Sequence, residues 1–276
     1  MMTAKRFAIG ILKYGVLVTF ALWSAVPVLL IILNSFKRKL DIFTNPPSLV
    51  FQPTLSNYQK IFLTDDYLSY YRNSIAITGM TTVLSILFGL LAAYGIVYFG
   101  LKHANKVANT FLWVKMIPPI TMLLPMYSML TFLNLQGTYV GPVLAHTSLN
   151  LAFVIWLFMS LLKDVPSEII DSATMDGASR MQTFWLIIVP IVLPGIAACT
   201  VLTAQYSWNE LLFVLQLTQL DTYTLPVGIS KLVGELGGDW GKSSAAATVT
   251  MVPIILVGFF VQKYIAQGTT AGAVKG

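Results

Sequence analysis

Five long stretches without a charged side chain constrain this sequence more than any other feature. They cover residues 14–36, 73–101, 116–162, 181–209 and 243–262. A helix needs roughly 20 mainly apolar residues to cross a hydrocarbon core about 30 Å thick, so each stretch is long enough to span a membrane. Only 10% of the residues are charged, whereas soluble domains carry about 25%. Both observations indicate that lipid surrounds much of the chain.

The third stretch is too long for one crossing and predicts two helices. Asn134-Leu-Gln-Gly-Thr138 near its middle is a turn-like cluster. The sequence therefore predicts an all-α membrane protein with six transmembrane helices, near residues 10–34, 72–98, 110–132, 141–162, 183–207 and 244–264. Pro118, Pro119 and Pro125 are expected to kink the third helix, which then packs inside the protein, unless they only reflect the general frequency of proline in membrane helices.

Loop charge leaves the orientation of these helices open. Simple alternation places both termini on one side, and the polar segments 37–72 and 208–242 on the other. Lysine and arginine number ten on the side of the termini and seven on the other side. Since cytoplasmic loops carry an excess of these residues, the difference favours cytoplasmic termini only weakly.

The segment between the fourth and fifth predicted spans has the features of a docking helix. Pro166 suits a first turn, and Glu168 complements the positive end of a helix dipole. Apolar or small residues then recur at spacings of three and four: Ile170, Ala173, Gly177, Met181 and Phe184. Small residues on this stripe would allow a partner to approach closely. The alternative is a helix on the lipid headgroups, but such helices favour basic residues and this one has three acids.

This segment resembles the cytoplasmic signature loop of binding-protein-dependent ABC importer permeases. In that family Glu-Ala-Ala is followed after three residues by Gly, and after nine more by Ile-x-Leu-Pro. The corresponding positions here hold Asp171-Ser172-Ala173, Gly177, Ile187, Val189 and Pro190. Shorter matches point to the carbohydrate branch and its maltose-permease-like second subunit; they include Asn34-Ser-Phe-Lys37, Asn57-Tyr58, Asn73-Ser74, Trp208-Asn209 and Thr224-Leu-Pro-Val-Gly228.

The resemblance implies a type I ABC importer permease fold in a bacterial-type plasma (inner) membrane. Residues 1–71 would hold the first membrane helix and first outer segment, residues 72–264 the core with a coupling helix at about 167–181, and residues 265–276 a cytoplasmic tail. Because the coupling helix meets a cytoplasmic ATPase, both termini would be cytoplasmic. The residues implied for ATPase coupling are Glu168, Asp171, Ser172, Ala173, Met175, Asp176, Gly177 and Arg180.

The same resemblance implies a set of partners. The chain would form half of the pathway for a sugar, oligosaccharide or polyol, together with a second homologous permease, a cytoplasmic ATPase dimer and an extracytoplasmic solute-binding protein. It would be a transport subunit without catalytic residues, metal or cofactor, since ATP and Mg bind the partner ATPase. The binding protein is expected to contact Tyr223, Gly237, Asp239 and Trp240.

Polar residues at the end of the fifth predicted span form a candidate solute path. Amides and aromatic faces suit sugar rings, and polar groups at membrane depth usually face a cavity. The candidates are Gln205, Tyr206, Asn209 and Glu210. Glu210 could equally be a flanking charge outside the membrane, and Lys115 could extend to the inner interface. His146 is predicted to be buried in the membrane and hydrogen-bonded.

Other functions stay open at this level. The same machine could import another polar solute, such as a polyamine or an anion. An ion-coupled secondary transporter is less favoured, because such carriers often show inverted repeats and no internal repeat is apparent. A membrane enzyme would need a cluster of His or Asp residues within the spans, and the sequence offers none.

Overall fold

The computed structural model describes residues 2–63, 66–99, 101, 103–234 and 238–273. That part of the chain is almost entirely helical and contains no strand. In chain order its α-helices are α1 (Met2–Ser35), α2 (Lys39–Ile42), α3 (Ser56–Leu63), α4 (Tyr67–Tyr98), α5 (Ala104–Lys115), α6 (Pro119–Phe132), α7 (Val140–Lys163), α8 (Ser167–Met175), α9 (Arg180–Thr183), α10 (Val189–Ile191), α11 (Leu193–Asn209), α12 (Leu212–Leu217), α13 (Leu225–Gly234) and α14 (Trp240–Ala273). A π-helical turn, Phe184–Ile188, joins α9 to α10.

Within the part of the chain that the structure describes, four helices are individually long and apolar enough to cross a membrane. They are α4, α7, α1 over Ile9–Ser35 and α14 over Trp240–Phe259. Two further spans are bent pairs: α5 with α6 at 88°, and Arg180–Ile191 with α11 at 78°. The predicted six membrane helices are therefore present when each bent pair is one span, and the all-α membrane fold is confirmed.

Consecutive prolines cause the bend in the third span. α5 ends at Lys115, and α6 begins at Pro119 with Pro118 as its N-cap residue. Neither proline has a backbone N–H, so the hydrogen-bond ladder of a helix cannot continue through them, while their fixed φ suits a new first turn. The expected kink is confirmed, as a full break between two helices.

The turn predicted within the third apolar stretch separates α6 from α7. Asn134 adopts a left-handed φ of 54°. The Asn134 backbone N–H donates to the Thr131 carbonyl at 3.0 Å, and the Leu135 backbone N–H donates to the Leu130 carbonyl at 2.9 Å. This pair of bonds is a Schellman motif, which satisfies the last carbonyls of α6 and ends the helix.

The bend in the fifth span was not predicted from the sequence. A single helix was expected over residues 183–207, but the chain breaks at Val192 after the π-helical turn. Pro190 cannot donate a helical hydrogen bond, and Pro194 lies in the first turn of α11, where no donor is required. Proline chemistry therefore accounts for both ends of this break.

The chain forms two compact units, Met1–Tyr67 with Ile229–Val252 and Leu68–Gly228 with Pro253–Gly276. The start of α14 packs with the N-terminal segment, where a Cβ at Gly241 would contact the Asn57 side chain, and the division predicted at residues 71 and 264 stays a prediction. The hydroxyls of Tyr67 and Thr250 lie 3.1 Å apart. α14 also continues to Ala273, so the predicted tail is helical up to that residue, and residues 274–276 lie outside the described part.

In the first unit, two of the short sequence matches meet each other. The Asn57 side-chain amide donates to the backbone carbonyls of Ser35 and Lys37, each at 2.9 Å. The Tyr58 and Ser35 hydroxyls lie 2.7 Å apart. These bonds close the end of α1 onto α3, so the matched residues serve a structural purpose here.

In the second unit, α4 packs closely on α7. A Cβ atom added at Gly89 on α4 would lie 2.5 Å from Val154 Cγ1 on α7. Small residues permit this kind of approach between membrane helices. Around this contact the core contains Leu90, Phe158, Leu162, Phe184 and Ile188.

Gly89→Ala is expected to destabilise the chain by about 1–3 kcal/mol, because the added methyl group forces the packed helices apart. Gly79→Ala is the matched control, since a Cβ there would have no atom within 4 Å. That control should be neutral or stabilising, because alanine favours a helix by about 1 kcal/mol over glycine. Denaturant titration in detergent measures both, and equal unfolding free energies would contradict the close contact.

Candidate functional site

The segment with the signature spacing folds as a short helix closed by a glycine turn. α8 ends at Met175, and Gly177 has a left-handed φ of 80°. The Gly177 amide donates to the Thr174 carbonyl and the Ala178 amide to the Ala173 carbonyl, both at 3.0 Å. This second Schellman motif requires a residue that tolerates a positive φ. The single helix predicted over about 167–181 is therefore wrong at its C-terminal end.

A separate helix begins directly after this turn. The Ser179 hydroxyl accepts from the Gln182 amide at 3.3 Å, and the Gln182 side-chain oxygen accepts from the Ser179 amide at 2.8 Å. This reciprocal capping box satisfies two free donors and starts the helical segment Arg180–Ile191. Arg180 thus lies in a different helix from the acidic residues of α8.

The surface around Gly177 is open and acidic. A Cβ at Gly177 would have no atom within 4 Å. Met175 is 87% exposed. The other predicted coupling residues that are exposed on this segment are Glu168, Asp171, Ser172 and Asp176. We term these six residues the α8 knob; it combines three carboxylates with one apolar side chain and an unobstructed turn.

The predicted apolar stripe does not form one outward face. Ala173 is only 4% exposed, and Phe184 is fully buried in the core of the second unit. Ile170 packs against the same core, whereas Met181 is exposed. The Ala173 side chain is thus buried within this chain, and its predicted role in ATPase coupling stays a prediction.

An aromatic cluster at the end of α4 anchors this region, and sequence reasoning missed it. The Tyr94 hydroxyl donates to the Arg180 carbonyl at 3.1 Å, and the Tyr98 hydroxyl donates to the Leu162 carbonyl at 2.7 Å. The Arg180 guanidinium lies 4.5 Å from the centre of the Phe99 ring. We term Tyr94, Tyr98 and Phe99 the aromatic anchor. The available signal was two tyrosines four residues apart, on one face at the end of a span.

The four residues predicted for a solute path line one cavity of about 580 Å³. Gln205 and Asn209 are both exposed and lie one helical turn apart on α11. The Asn209 amide nitrogen donates to the Gln205 carbonyl at 2.9 Å, which fixes its orientation. Apolar residues complete the lining: Pro119, Leu202, Leu211 and Leu212. The cavity thus presents amides and a phenol ring in an apolar frame.

Glu210 lines this cavity, but its carboxylate is engaged within the protein. It accepts from the Phe213 amide at 3.0 Å and the Val214 amide at 3.2 Å, which caps α12. Its Oε2 also lies 3.0 Å from His146 Nε2, and His146 Nδ1 lies 2.8 Å from the Ser207 hydroxyl. The expectation of a buried, hydrogen-bonded His146 is confirmed, and Glu210 is neither a free cavity group nor a simple flanking charge.

The Lys115 side chain makes two contacts within the protein. Its ammonium donates to the Leu149 carbonyl of α7 at 3.1 Å. The same nitrogen lies 4.6 Å from the centre of the Tyr206 ring, a cation–π distance. Lys115 therefore supports the Tyr206 wall of the cavity, and its extension to the inner interface stays a prediction.

The residues predicted to touch a binding protein differ in exposure. Trp240 is 54% exposed at the start of α14. Asp239 accepts the Lys242 amide at 3.2 Å and so caps that helix. In the second unit, the Tyr223 ring lies edge-on to Tyr70 with ring centres 6.2 Å apart. Gly237 lies outside the described residues.

Asn73 and Ser74, which also belong to the short sequence matches, form hydrogen bonds that connect distant segments of the second unit. The Asn73 amide nitrogen donates to the carbonyls of Asp221 and Tyr223 at 3.0 and 2.9 Å. The Tyr139 hydroxyl donates to the Asn73 side-chain oxygen at 2.6 Å, and the Leu225 amide donates to the Ser74 hydroxyl at 2.9 Å. These four bonds hold the segment before α13 against α4.

Comparison with known proteins gives consistent matches. Residues 85–271 match the family model described as "Binding-protein-dependent transport system inner membrane component". The arabinooligosaccharides transport system permease protein AraQ of Halalkalibacterium halodurans is 31% identical over 280 residues, covering 99% of this chain and 100% of that protein. The trehalose/maltose transport system permease protein MalG of Thermococcus litoralis is 30% identical over 239 residues, covering 85% of this chain and 86% of that protein.

The fold is also similar to a solved structure. One chain in the crystal structure of a bacterial ABC transporter involved in the import of the acidic polysaccharide alginate aligns with a TM-score of 0.77. The alignment covers 93% of this chain and 96% of that chain at 20% sequence identity. At this identity the likeness concerns the fold.

Proposed function

Because this chain belongs to the family of inner membrane components of binding-protein-dependent transport systems, we propose that it forms half of the solute pathway of an ATP-driven importer for a sugar, oligosaccharide or polyol. It is an ABC importer permease of the inner membrane, and such subunits are not themselves enzymes. The saccharide class is supported by two relatives named for arabinooligosaccharides and for trehalose and maltose.

The observation that carries the mechanism is the α8 knob. Its three carboxylates and the exposed Met175 suit a partner groove with basic and apolar groups, and the glycine turn leaves room for close approach. That partner is a cytoplasmic ATPase dimer, which binds ATP and Mg and converts its closure into alternating access of the membrane helices. The knob and both termini are then cytoplasmic.

The cavity at the end of α11 supports direct contact with the solute. Gln205 and Asn209 offer amide donors and acceptors, and the Tyr206 ring offers a flat apolar face, which together suit a saccharide. Glu210 acts as a positioning residue, since its carboxylate is already bound by backbone amides and His146. A second homologous permease completes the pathway, and an extracytoplasmic binding protein delivers the solute to the outer face, where Trp240 is exposed.

Purification in mild detergent tests this proposal. The tagged chain should co-purify with an ATPase subunit, and adding maltose or an arabinooligosaccharide with the cognate binding protein should stimulate ATP hydrolysis in liposomes. Transport by this chain alone, driven by an ion gradient, would contradict the proposal.

The aromatic anchor is expected to transmit ATPase movement to α4. Tyr98→Phe removes only the hydroxyl that bonds the Leu162 carbonyl, at a cost of about 1 kcal/mol. Uptake per ATP hydrolysed should fall by about fivefold, because the end of α7, which leads into α8, is then held less tightly to α4. Tyr127→Phe on α6, a tyrosine 38% exposed, is the control and should keep the wild-type ratio. An unchanged ratio in Tyr98→Phe would refute this role.

A further inference from the structure

A groove of about 320 Å³ between α5 and α7 is used by neither the cavity nor the α8 knob. Two helices supply its polar wall: Asn105 and Asn109 one turn apart on α5, and Ser160 and Lys163 one turn apart on α7. Trp156 lies one turn further along α7, and the buried Ala108 and Met159 complete the lining. The groove thus grades from charged and polar to aromatic and apolar.

Lys163 supplies the charge of this groove. Its ammonium donates to the Asn105 side-chain oxygen at 2.6 Å, which leaves its two other N–H groups for a ligand. No carboxylate among the described residues forms an ion pair with Lys163. The groove therefore combines one uncompensated cation with amide and hydroxyl donors.

The groove lies where the C-terminal end of α7 meets the N-terminal end of α5. α7 ends at Lys163, and the third span begins at Ala104. Phospholipid phosphates occupy this level of a membrane, and tryptophan is enriched just inside it. A phosphodiester only accepts hydrogen bonds, whereas ammonium, amide and hydroxyl groups donate them. Basic pockets between membrane helices commonly bind anionic headgroups.

We propose that this groove binds the phosphodiester headgroup of an anionic membrane phospholipid. Lys163 is the counter-charge, Asn109 and Ser160 donate to the phosphate oxygens, and the acyl chains pass Trp156 toward the hydrocarbon core. The bound lipid fills the groove between α5 and α7. This site is independent of which solute the importer carries.

Native mass spectrometry of the full chain, equilibrated with mixed micelles of phosphatidylglycerol and phosphatidylcholine, tests the site. Lys163→Gln should reduce bound phosphatidylglycerol about tenfold, because a charge-assisted hydrogen bond is lost. Lys163→Arg should retain it. Lys106→Gln is the matched control, since Lys106 is exposed on α5 but does not line the groove.

A second variant keeps the lysine and changes its surroundings. Asn109→Asp places a carboxylate in the groove and should also lower phosphatidylglycerol retention, with an unchanged thermal unfolding midpoint confirming the fold. Equal losses in Lys163→Gln and Lys106→Gln would show diffuse attraction and overturn the site. Displacement of the lipid by an equal concentration of inorganic phosphate would also overturn it, because the groove would then take a free anion.

Discussion

Gly177→Trp is expected to reduce solute uptake by the assembled importer at least about 100-fold, while the membrane spans still insert. Gly177 closes α8 at a φ of 80° and has open space on its outer side. An indole there adds bulk to the surface proposed to meet the ATPase, so docking is blocked; a loss of about 3 kcal/mol in binding accounts for the effect. Uptake of radiolabelled maltose and co-purification of the ATPase measure it.

Two further substitutions separate bulk from backbone strain. Gly177→Asn should keep most uptake, because asparagine tolerates the left-handed region and has a short side chain. Gly177→Ala keeps the outer side of the turn open, but a left-handed φ costs alanine roughly 1–2 kcal/mol. We therefore expect a loss of uptake between those of the asparagine and tryptophan variants. If ATPase association and uptake both survived Gly177→Trp, the assignment of the α8 knob would be wrong.

The membrane helices could be predicted because the thickness of the bilayer fixes how many consecutive apolar residues a spanning helix needs. An apolar stretch of fixed length needs no knowledge of its neighbours, and Pro118 and Pro119 interrupt a helix through their own covalent structure. The break at Val192 lies between Pro190 and Pro194, so it had a similar local signal, but the π-helical turn that precedes it has no such signal in the sequence. The absence of charged residues alone predicted one continuous helix over residues 183–207.

The candidate site was predicted where local spacing determines it and missed where distant residues meet. The glycine at position 177 marked the important turn, but the spacing of Ala173 and Phe184 could not tell a partner-facing stripe from an inward one. The aromatic anchor joins Tyr94 to the backbone of Arg180, 86 positions away. Likewise, His146 and Glu210 are 64 positions apart, and no local pattern pairs them.

Glu210→Ala is expected to destabilise the chain by about 1–3 kcal/mol, because it leaves buried hydrogen-bonding groups without a partner. The change leaves His146, which is fully buried, without its partner, and frees the amides of Phe213 and Val214 at the start of α12. Denaturant titration in detergent measures the loss. Uptake should fall with it, since Tyr206 and Asn209 adjoin this network in the same cavity.

Glu210→Gln and Asn209→Ala distinguish a positioning role from solute contact. The glutamine keeps an oxygen that can accept from the α12 amides and from His146, so most of the stability should return. Asn209→Ala, at an exposed neighbour, should lower uptake with little change in stability, because it removes a cavity amide and no buried partner. A Glu210→Ala protein of wild-type stability with impaired uptake would instead place the carboxylate on the solute, and the buried network would lose its proposed purpose.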